Sequence, residues 1–382
     1  MAKNKNRRQE TNSLAVAVTE KIPLVSVIIP MYNAARFISQ TLESLLYQTM
    51  QDFEVIVVDD CSTDNSVEVV ESFKEKFASG GGYQFHVVRL PENSGSPEVP
   101  RNLAIKFSRG KYIAFLDNDD LFTKTALEEL STLAEKYQAD VVHTDAFFYF
   151  PDEKLKSATT AELLNMNHAV IKCNPNSPRL QQATDKPDDL TERVKIWINS
   201  DFHWATWALF CRRDFWVVNR IKFPQMSVSG DTIANFACLC LAKKLLRVPN
   251  ITYINRFRPD SVSHSNIDLE NYFHKWLSNL NRGFNEFDKV MKRFSFFEEH
   301  PDYRYAVLNW FFERVLLDAR QLQAAYAQIH PAALNQFVQK EFQPEDAAFS
   351  AYLFNTLNIY RLQIMRLQQE INELKAGRRP PE

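Results

Sequence analysis

Glycine is scarce in this 382-residue chain: there are eight, and three of them stand together at 80–82. That triplet follows a helix-like segment rather than a strand, so it reads as a spacer. Neither G-x-G-x-x-G nor G-x-x-x-x-G-K-[ST] occurs, which argues against dinucleotide oxidoreduction and P-loop chemistry. Cysteine is also sparse. Cys61, Cys173, Cys211, Cys238 and Cys240 are odd in number and form no CxxC. This fits a reduced, cytosolic compartment better than a disulfide framework. Cys238 and Cys240 lie in an apolar helix-like segment and read as core filler. No stretch approaches the roughly 18 uninterrupted apolar residues of a membrane span. The early "LAVAV" is too short for a secretory signal core. Charge is nearly balanced, with a net of −2, so no global basic field calls for nucleic acid. No RNP-like, zinc-finger or helix-turn-helix pattern is found.

What is present is ordinary for a globular protein: 45% hydrophobic and 24% charged residues. The length exceeds one domain of ~100–200 residues, so one large domain with appendages, or two domains, is expected. Residues 1–21 form a polar, basic tail that reads as disordered, with contact to acidic lipid as the alternative. Order begins at "PLVSVIIPMYN", a nearly unbroken β-branched run ending at Pro30 and Asn33. Such runs mark strands buried on both faces. An amphipathic helix follows, with Phe37, Ile38, Leu42, Leu45 and Leu46 on one stripe. "FEVIVVDD" is a second strand, and Ser62 or Thr63 is expected to cap the helix after it. "YQFHVVRL" is a third strand, "PENSGSPEVP" a loop, "RNLAIKFS" a helix and "KYIAFLDNDD" a fourth strand. "ADVVHTDAFFYF" reads as one further strand. Residues 151–193 are polar and Pro/Asn-rich, a long excursion.

This alternation predicts an α/β fold: a mostly parallel sheet with helices on both faces. Ligands bind such sheets at the carboxyl ends of the strands. Two of those ends, "VVDD" and "FLDNDD", carry clustered carboxylates, which repel one another unless something positive joins them. Asp117 and Asp119 flank one residue on an extended chain and so share a side. Hard oxygen ligands suit Mg2+ or Mn2+, and Mg2+ takes one or two carboxylates and completes its shell with water and phosphates. Asp120 is expected to cap the next helix. Asp60 can accept the imide N–H of a uracil or thymine ring on which Tyr32 stacks; turn chemistry is the alternative for Asp59 and Asp60.

These motifs, in this order and spacing, resemble the nucleotide-binding half of an inverting family 2 glycosyltransferase of the GT-A fold. "VSVIIPMYNAARFISQTLESLLYQT", "FEVIVVDDCSTDNS" and "PRNLAIKFSRGKYIAFLDNDD" carry the resemblance. A weaker one runs on through "WALFCRRDF", "FPQMSVSGDTIANF" and "YINRFRPDSVSH" to about residue 265. The resemblance implies a GT-A domain at 22–267, with 22–150 binding a nucleotide-sugar and 151–267 an acceptor. It implies donor contacts at Pro30, Tyr32, Asn33, Asp60, Arg101, Asp117, Asn118, Arg258 and His264. The D-x-D implies Asp119 as direct metal ligand, with Asp117 beside it, for Mn2+ or Mg2+. Asp231 matches the second member of the acidic pair that supplies the catalytic base; its local alternative is an N-cap. Trp204 and Trp207 are candidates for stacking on acceptor sugar rings, with core packing as the alternative. His143 and His203 read as structural residues.

Three departures stand out. Gly230-Asp231 replaces the Glu-Asp pair usual in the family, and "SGSPEVP", stiffened by Pro97 and Pro100, replaces a Gly-Leu-Ser-Ala-Ala-like loop. Cys61 also stands where a glycine is frequent. The implied activity is transfer of a hexosyl or N-acetylhexosaminyl group from a nucleotide-diphosphate donor, expected to be a UDP-sugar, to a glycan or lipid-linked acceptor. The expected setting is surface-polysaccharide synthesis from the cytoplasm, with peripheral contact at the inner membrane face left open. A catalytically weak scaffold and a sugar-phosphate nucleotidyltransferase are the competing readings. The second wants a Gly-rich basic loop after the first strand, and "PMYNAARF" lacks one.

Beyond the resemblance, 268–347 is helical and aromatic. At 348–377 a seam of Leu353, Leu357, Tyr360, Ile364, Leu367, Ile371 and Leu374 repeats at intervals of 4 and 3. That is a coiled-coil pattern of roughly three heptads, pointing to a homo-oligomer.

Overall fold

The apolar runs become strands covered on both faces. In this computed structural model, the described residues are 21–79, 84–151, 158–165, 170–173, 182–186, 189–226, 229–257 and 269–316, with 336, 363 and 366–375. The elements in chain order are β1 (Val25–Met31), α1 (Ile38–Leu46), β2 (Phe53–Asp59), α2 (Ser66–Glu71), α3 (Lys74–Ser79), β3 (Gln84–Arg89), α4 (Glu98–Phe107), β4 (Tyr112–Phe115), β5 (Leu121–Phe122), α5 (Ala126–Tyr137), β6 (Val141–Thr144) and β7 (Ala146–Pro151). They continue as α6 (Thr160–Leu164), β8 (Val170–Cys173), β9 (Thr184–Lys186), α7 (Leu190–Ile198), β10 (Leu209–Arg212), α8 (Arg213–Val218), α9 (Gly230–Leu241), β11 (Leu245–Val248), β12 (Tyr253–Phe257), α10 (Leu269–Met291), α11 (Phe296–Glu299) and α12 (Pro301–Leu316).

An eight-stranded sheet runs in the order β3-β2-β1-β4-β10-β6-β11-β9. β3, β2, β1 and β4 are parallel, and β10 is antiparallel to both neighbours. The chain leaves β1 toward β2 and β3, then returns to β1's other side as β4. That reversal opens a crevice at the carboxyl ends of β1, β2 and β4. In register, Met31 faces Asp59 and Ile28 faces Phe115, so all three ends reach one edge.

Side-chain alternation along β1 explains its unbroken apolar run. Val27 and Ile29 pack on one face with Leu42 and Leu45 of α1. Ile28 packs on the other with Ala104 of α4 and Phe236 of α9. Each such buried side chain contributes about 2 kcal/mol. The second face also takes up the helices beyond the sheet. Trp197 of α7 meets Trp310 of α12 at 4.7 Å between ring centroids, and Phe287 of α10 meets Phe311 of α12 at 5.0 Å.

Local readings change in several places. "ADVVHTDAFFYF" is two strands in two sheets, since β7 joins a small sheet, β5-β12-β7-β8. The break is at Asp145, which is buried against His143 and Arg247. The helix of "RNLAIKFS" starts three residues earlier, at Glu98. Pro97 and Pro100 fall at its cap and in its first turn, where a missing N–H is tolerated. Ser62 and Thr63 do not cap α2; Asp64 Oδ1 accepts from the Ser66 N–H at 3.0 Å instead. The glycine triplet, the basic tail through residue 20 and most of the heptad seam lie outside the described residues. Residues 366–375 are helical, and Leu367, Ile371 and Leu374 are exposed there. Among the described residues, no helix is long and apolar enough to cross a membrane.

Candidate active site

The acids at the strand ends take different tasks. Asp59, at the end of β2, is fully buried. It pairs with Arg89 at 3.2 Å and accepts the Ser62 N–H, so it is turn chemistry. Asp60 hydrogen-bonds through its own N–H to Met31 O at 2.7 Å, tying β2 to β1. Its carboxylate accepts from the Ser94 N–H at 2.8 Å and the Ser94 hydroxyl at 3.0 Å. Pro30 is buried in β1, and Tyr32 lies exposed just past its end. Asn33 has a left-handed backbone, φ 47°, and its Oδ1 accepts from the Thr63 N–H at 2.8 Å. That locks the β1 loop against the β2 loop and sets the rim of the crevice.

The D-x-D segment is held from 130 residues downstream. Asp120 is buried and is not a helix cap. It accepts from the Tyr253 hydroxyl at 2.8 Å, Asn255 Nδ2 at 3.1 Å and the Arg256 N–H at 2.7 Å. Helix α5 begins six residues later with Thr125 at its cap. Burial first, then the charges of Asp119 and Asp117, push the Asp120 carboxyl well above its ordinary range. Arg256 also donates from Nε to Asp119 O at 2.8 Å and from Nη2 to Gln40 at 2.6 Å. The Tyr253 oxygen accepts the Asp117 N–H at 3.2 Å. Thr41 donates to Asn118 O at 3.1 Å. The segment is thus clamped from α1 and β12, leaving Asp117, Asn118 and Asp119 half-buried at the crevice.

Opposite them stands Arg101 on α4, buried, with Nη2 donating to Asp117 Oδ1 at 2.8 Å. Burial opposes its charge, but Asp117, Glu98 and Asp231 outweigh this and hold the guanidinium above its ordinary value. Asp231 is the second residue of α9, not its cap; Ser229 holds that position with φ 66°. Its Oδ1 accepts the Thr232 N–H at 2.8 Å. Burial raises the Asp231 carboxyl above its usual value, while Arg101 and Arg314 pull against the rise. Asn235, one turn on, donates to Asp231 O at 2.9 Å and Trp204 O at 2.7 Å. Trp204 is partly exposed beneath the Arg314 guanidinium, 3.9 Å from its ring centroid.

Trp207 belongs elsewhere. It stacks on Tyr253 at 4.5 Å and packs against Phe147 and His203, so its ring braces the residue that holds Asp120. His143 is fully buried, and burial lowers His203 to about 3, which keeps it neutral. Trp197 is core. Arg258 and His264 lie outside the described residues.

Two charged residues near Asp231 escaped the sequence reading. Glu98 sat in a segment read as loop, and Arg314 lies on a helix beyond the family-like segment. Only the placement of α4 and α12 beside α9 reveals them.

Among the described residues, no three His, Cys, Asp or Glu side chains gather as a metal cage. A cation that keeps water and phosphate ligands needs only one or two carboxylates. The hard oxygens of Asp119 and Asp117 fit that demand; Asp120, saturated by β12, does not contribute.

Residues 26–216 match the family model described as Glycosyl transferase family 2. The chain belongs to this family. It is 28% identical over 243 residues to "Uncharacterized glycosyltransferase EpsJ" of Bacillus subtilis (strain 168), covering 63% of each chain. It is 38% identical over 119 residues to the poly(ribitol-phosphate) beta-N-acetylglucosaminyltransferase TarS of Staphylococcus aureus (strain Mu50 / ATCC 700699), covering 31% of this chain and 20% of TarS. It thus spans less than two thirds of the length of these curated relatives. The crystal structure of S. aureus TarS 1–349 in complex with UDP-GlcNAc aligns with a TM-score of 0.55 at 21% identity, over 85% of this chain and 83% of that one. That likeness establishes the GT-A fold of the family in this chain.

Proposed function

We propose that this glycosyltransferase moves a sugar from a UDP-sugar to a hydroxyl of a glycan or lipid-linked acceptor, with inversion, in surface-polysaccharide assembly. One observation carries the reading: Asp117, Arg101 and Asp231, from three separate elements, act on one another electrostatically across the crevice. Relatives named for poly(ribitol-phosphate) glycosylation, and a TarS crystal form containing UDP-GlcNAc, support a UDP-linked donor and a polymeric acceptor.

Asp60 and Tyr32 hold the uracil ring, with Pro30 and Asn33 shaping that rim. Asp117, Asn118 and Arg101 contact the ribose, sugar and diphosphate. Arg258 and His264 keep the diphosphate role that the family resemblance implies. A divalent cation, Mn2+ or Mg2+, held by Asp119 with Asp117 beside it, would neutralise charge on the departing diphosphate. Asp231 takes the proton of the acceptor hydroxyl. The new O–C1 bond forms on the face opposite the nucleotide, and the C1–O bond breaks with its electron pair leaving to UDP. Trp204 stacks on the acceptor ring.

The test is UDP release from a panel of UDP-sugars with Mn2+. Turnover is expected with at least one donor and lost in Asp231→Asn with UDP affinity kept. An Asp231→Asn enzyme as fast as the parent would end the base assignment.

A further inference from the structure

Asp231 has no acidic side chain before it in sequence, yet a carboxyl lies beside it in space. A Cβ built on Gly230 would come within 2.7 Å of Glu98 Cγ and Oε1, and 2.7 Å of Pro224 O. Residue 230 is bare where Glu98 fills the gap from α4. Glu98 is 3% exposed, and its Oε2 has no hydrogen-bond partner. A buried unpaired carboxyl oxygen is destabilising and calls for a functional account.

We propose that Glu98 is the acidic partner of Asp231: a positioning residue, delivered across the gap at Gly230, that orients Asp231 and Arg101 and, when ionised, strengthens Asp231 as a base. The inference rests on Asp231 being the base. The charged groups facing Glu98 are Arg101 on its own helix and Asp231 on α9, with Asp117 beyond Arg101. Burial pushes Glu98 up to about 7; Arg101 opposes this and Asp231 adds to it. Glu98 therefore gains its charge through neutral pH. A new negative charge beside Asp231 raises that carboxylate's affinity for the acceptor proton. No atom of Glu98 enters the reaction.

The experiment uses the full chain with Mn2+ and the two probes UDP-GlcNAc and UDP-glucose, reading UDP release into water against pH. Glu98→Gln, an isostere, should lower kcat roughly tenfold, the scale of outer partners to a reacting group. Donor KM should stay unchanged, and the rise of kcat through neutral pH should vanish. The exchange Glu98→Gly with Gly230→Glu returns a carboxylate to the same gap from the other side. It should recover most of the turnover that Glu98→Gly alone loses. A second readout needs no turnover: the Tm of Glu98→Gln should gain on the parent's between acid and neutral pH. A Glu98→Gln enzyme with the parent's kcat and pH profile, an exchange variant no faster than Glu98→Gly, or an unaltered Tm profile would overturn the proposal. Asp231→Asn separates the two levels. If it stays active, the base reading has failed; if it is dead while Glu98→Gln is unimpaired, only the role of Glu98 has failed.

Discussion

Arg101 donates to Asp117 across the crevice at 2.8 Å, and this pair joins α4 to the end of β4. The arginine is buried among Asp117, Glu98 and Asp231, so its loss strands carboxylates that it neutralises. Removing one member of a fully buried pair typically destabilises by about 3 kcal/mol; Asp117 is half-buried, so the loss here should be smaller, about 2 kcal/mol. Arg101→Ala should show that loss in urea denaturation and no UDP release. Arg101→Lys should fold better yet stay slow, because a point charge does not reproduce the planar fork. An unmoved urea midpoint in Arg101→Ala would contradict the pairing.

Glu98 makes stability depend on pH. Its carboxyl is raised from 4.5 to about 7 in the folded chain. Below pH 4.5 both folded and unfolded forms are protonated, and the full stability is present. Between 4.5 and 7 the unfolded carboxyl ionises first, so stability falls as pH rises. Above 7 the loss is complete and amounts to about 3 kcal/mol. Glu98→Gln should therefore gain on the parent as pH climbs from acid to slightly alkaline. Denaturant midpoints across that range measure it; parallel curves for the two proteins would refute it.

Adjacent aspartates should fail in different ways. Asp120 accepts three hydrogen bonds from β12, and Asp120→Ala leaves those donors unpaired, a loss of about 3 kcal/mol. Asp119→Ala should lose the part of UDP affinity that Mn2+ adds. EDTA should abolish UDP release by the parent, and Mn2+ should restore it. Calorimetry showing equal Mn2+-dependent UDP binding in Asp119→Ala would remove Asp119 from the metal site.

Features set by neighbours in sequence are legible in it, and those set by long-range contacts are not. β1, β2 and β4 were legible because each is a contiguous apolar run, and the placement of Asp60, Asp117 and Asp119 at the crevice because they end such runs. Asp120 was misread because its partners Tyr253, Asn255 and Arg256 arrive from more than 130 residues away. Asp145 hid within a stretch that reads as one strand, since only its pairing with Arg247 shows where β6 stops. Glu98 sat beside two prolines that read as loop. Its link to Asp231 exists only because Gly230 lacks a side chain.

Arg314 should serve the acceptor side. It lies over Trp204 and pulls against the raised Asp231 carboxyl from α12. Arg314→Ala removes a cation–π contact worth roughly 1 kcal/mol and a counter-charge to Asp231. UDP binding should be unchanged, while kcat falls and its acid limb moves to higher pH. A drop in UDP affinity with kcat intact would place Arg314 on the donor side instead.

The packing of α10 on α12 depends on Gly283. A Cβ built there would collide with Cε1 and Cζ of Phe311. That ring is completely buried, held between Phe287 at 5.0 Å and Phe284 at 6.0 Å, so it has little room to withdraw. Overpacking a filled core in this way is destabilising by about 2 kcal/mol, more than the helix-propensity gain of alanine over glycine, about 1 kcal/mol, can offset. Gly283→Ala should lower Tm, and adding Phe311→Leu should recover part of the loss, because the two changes act on one contact. Additive losses in the double variant would show that Gly283 and Phe311 do not meet.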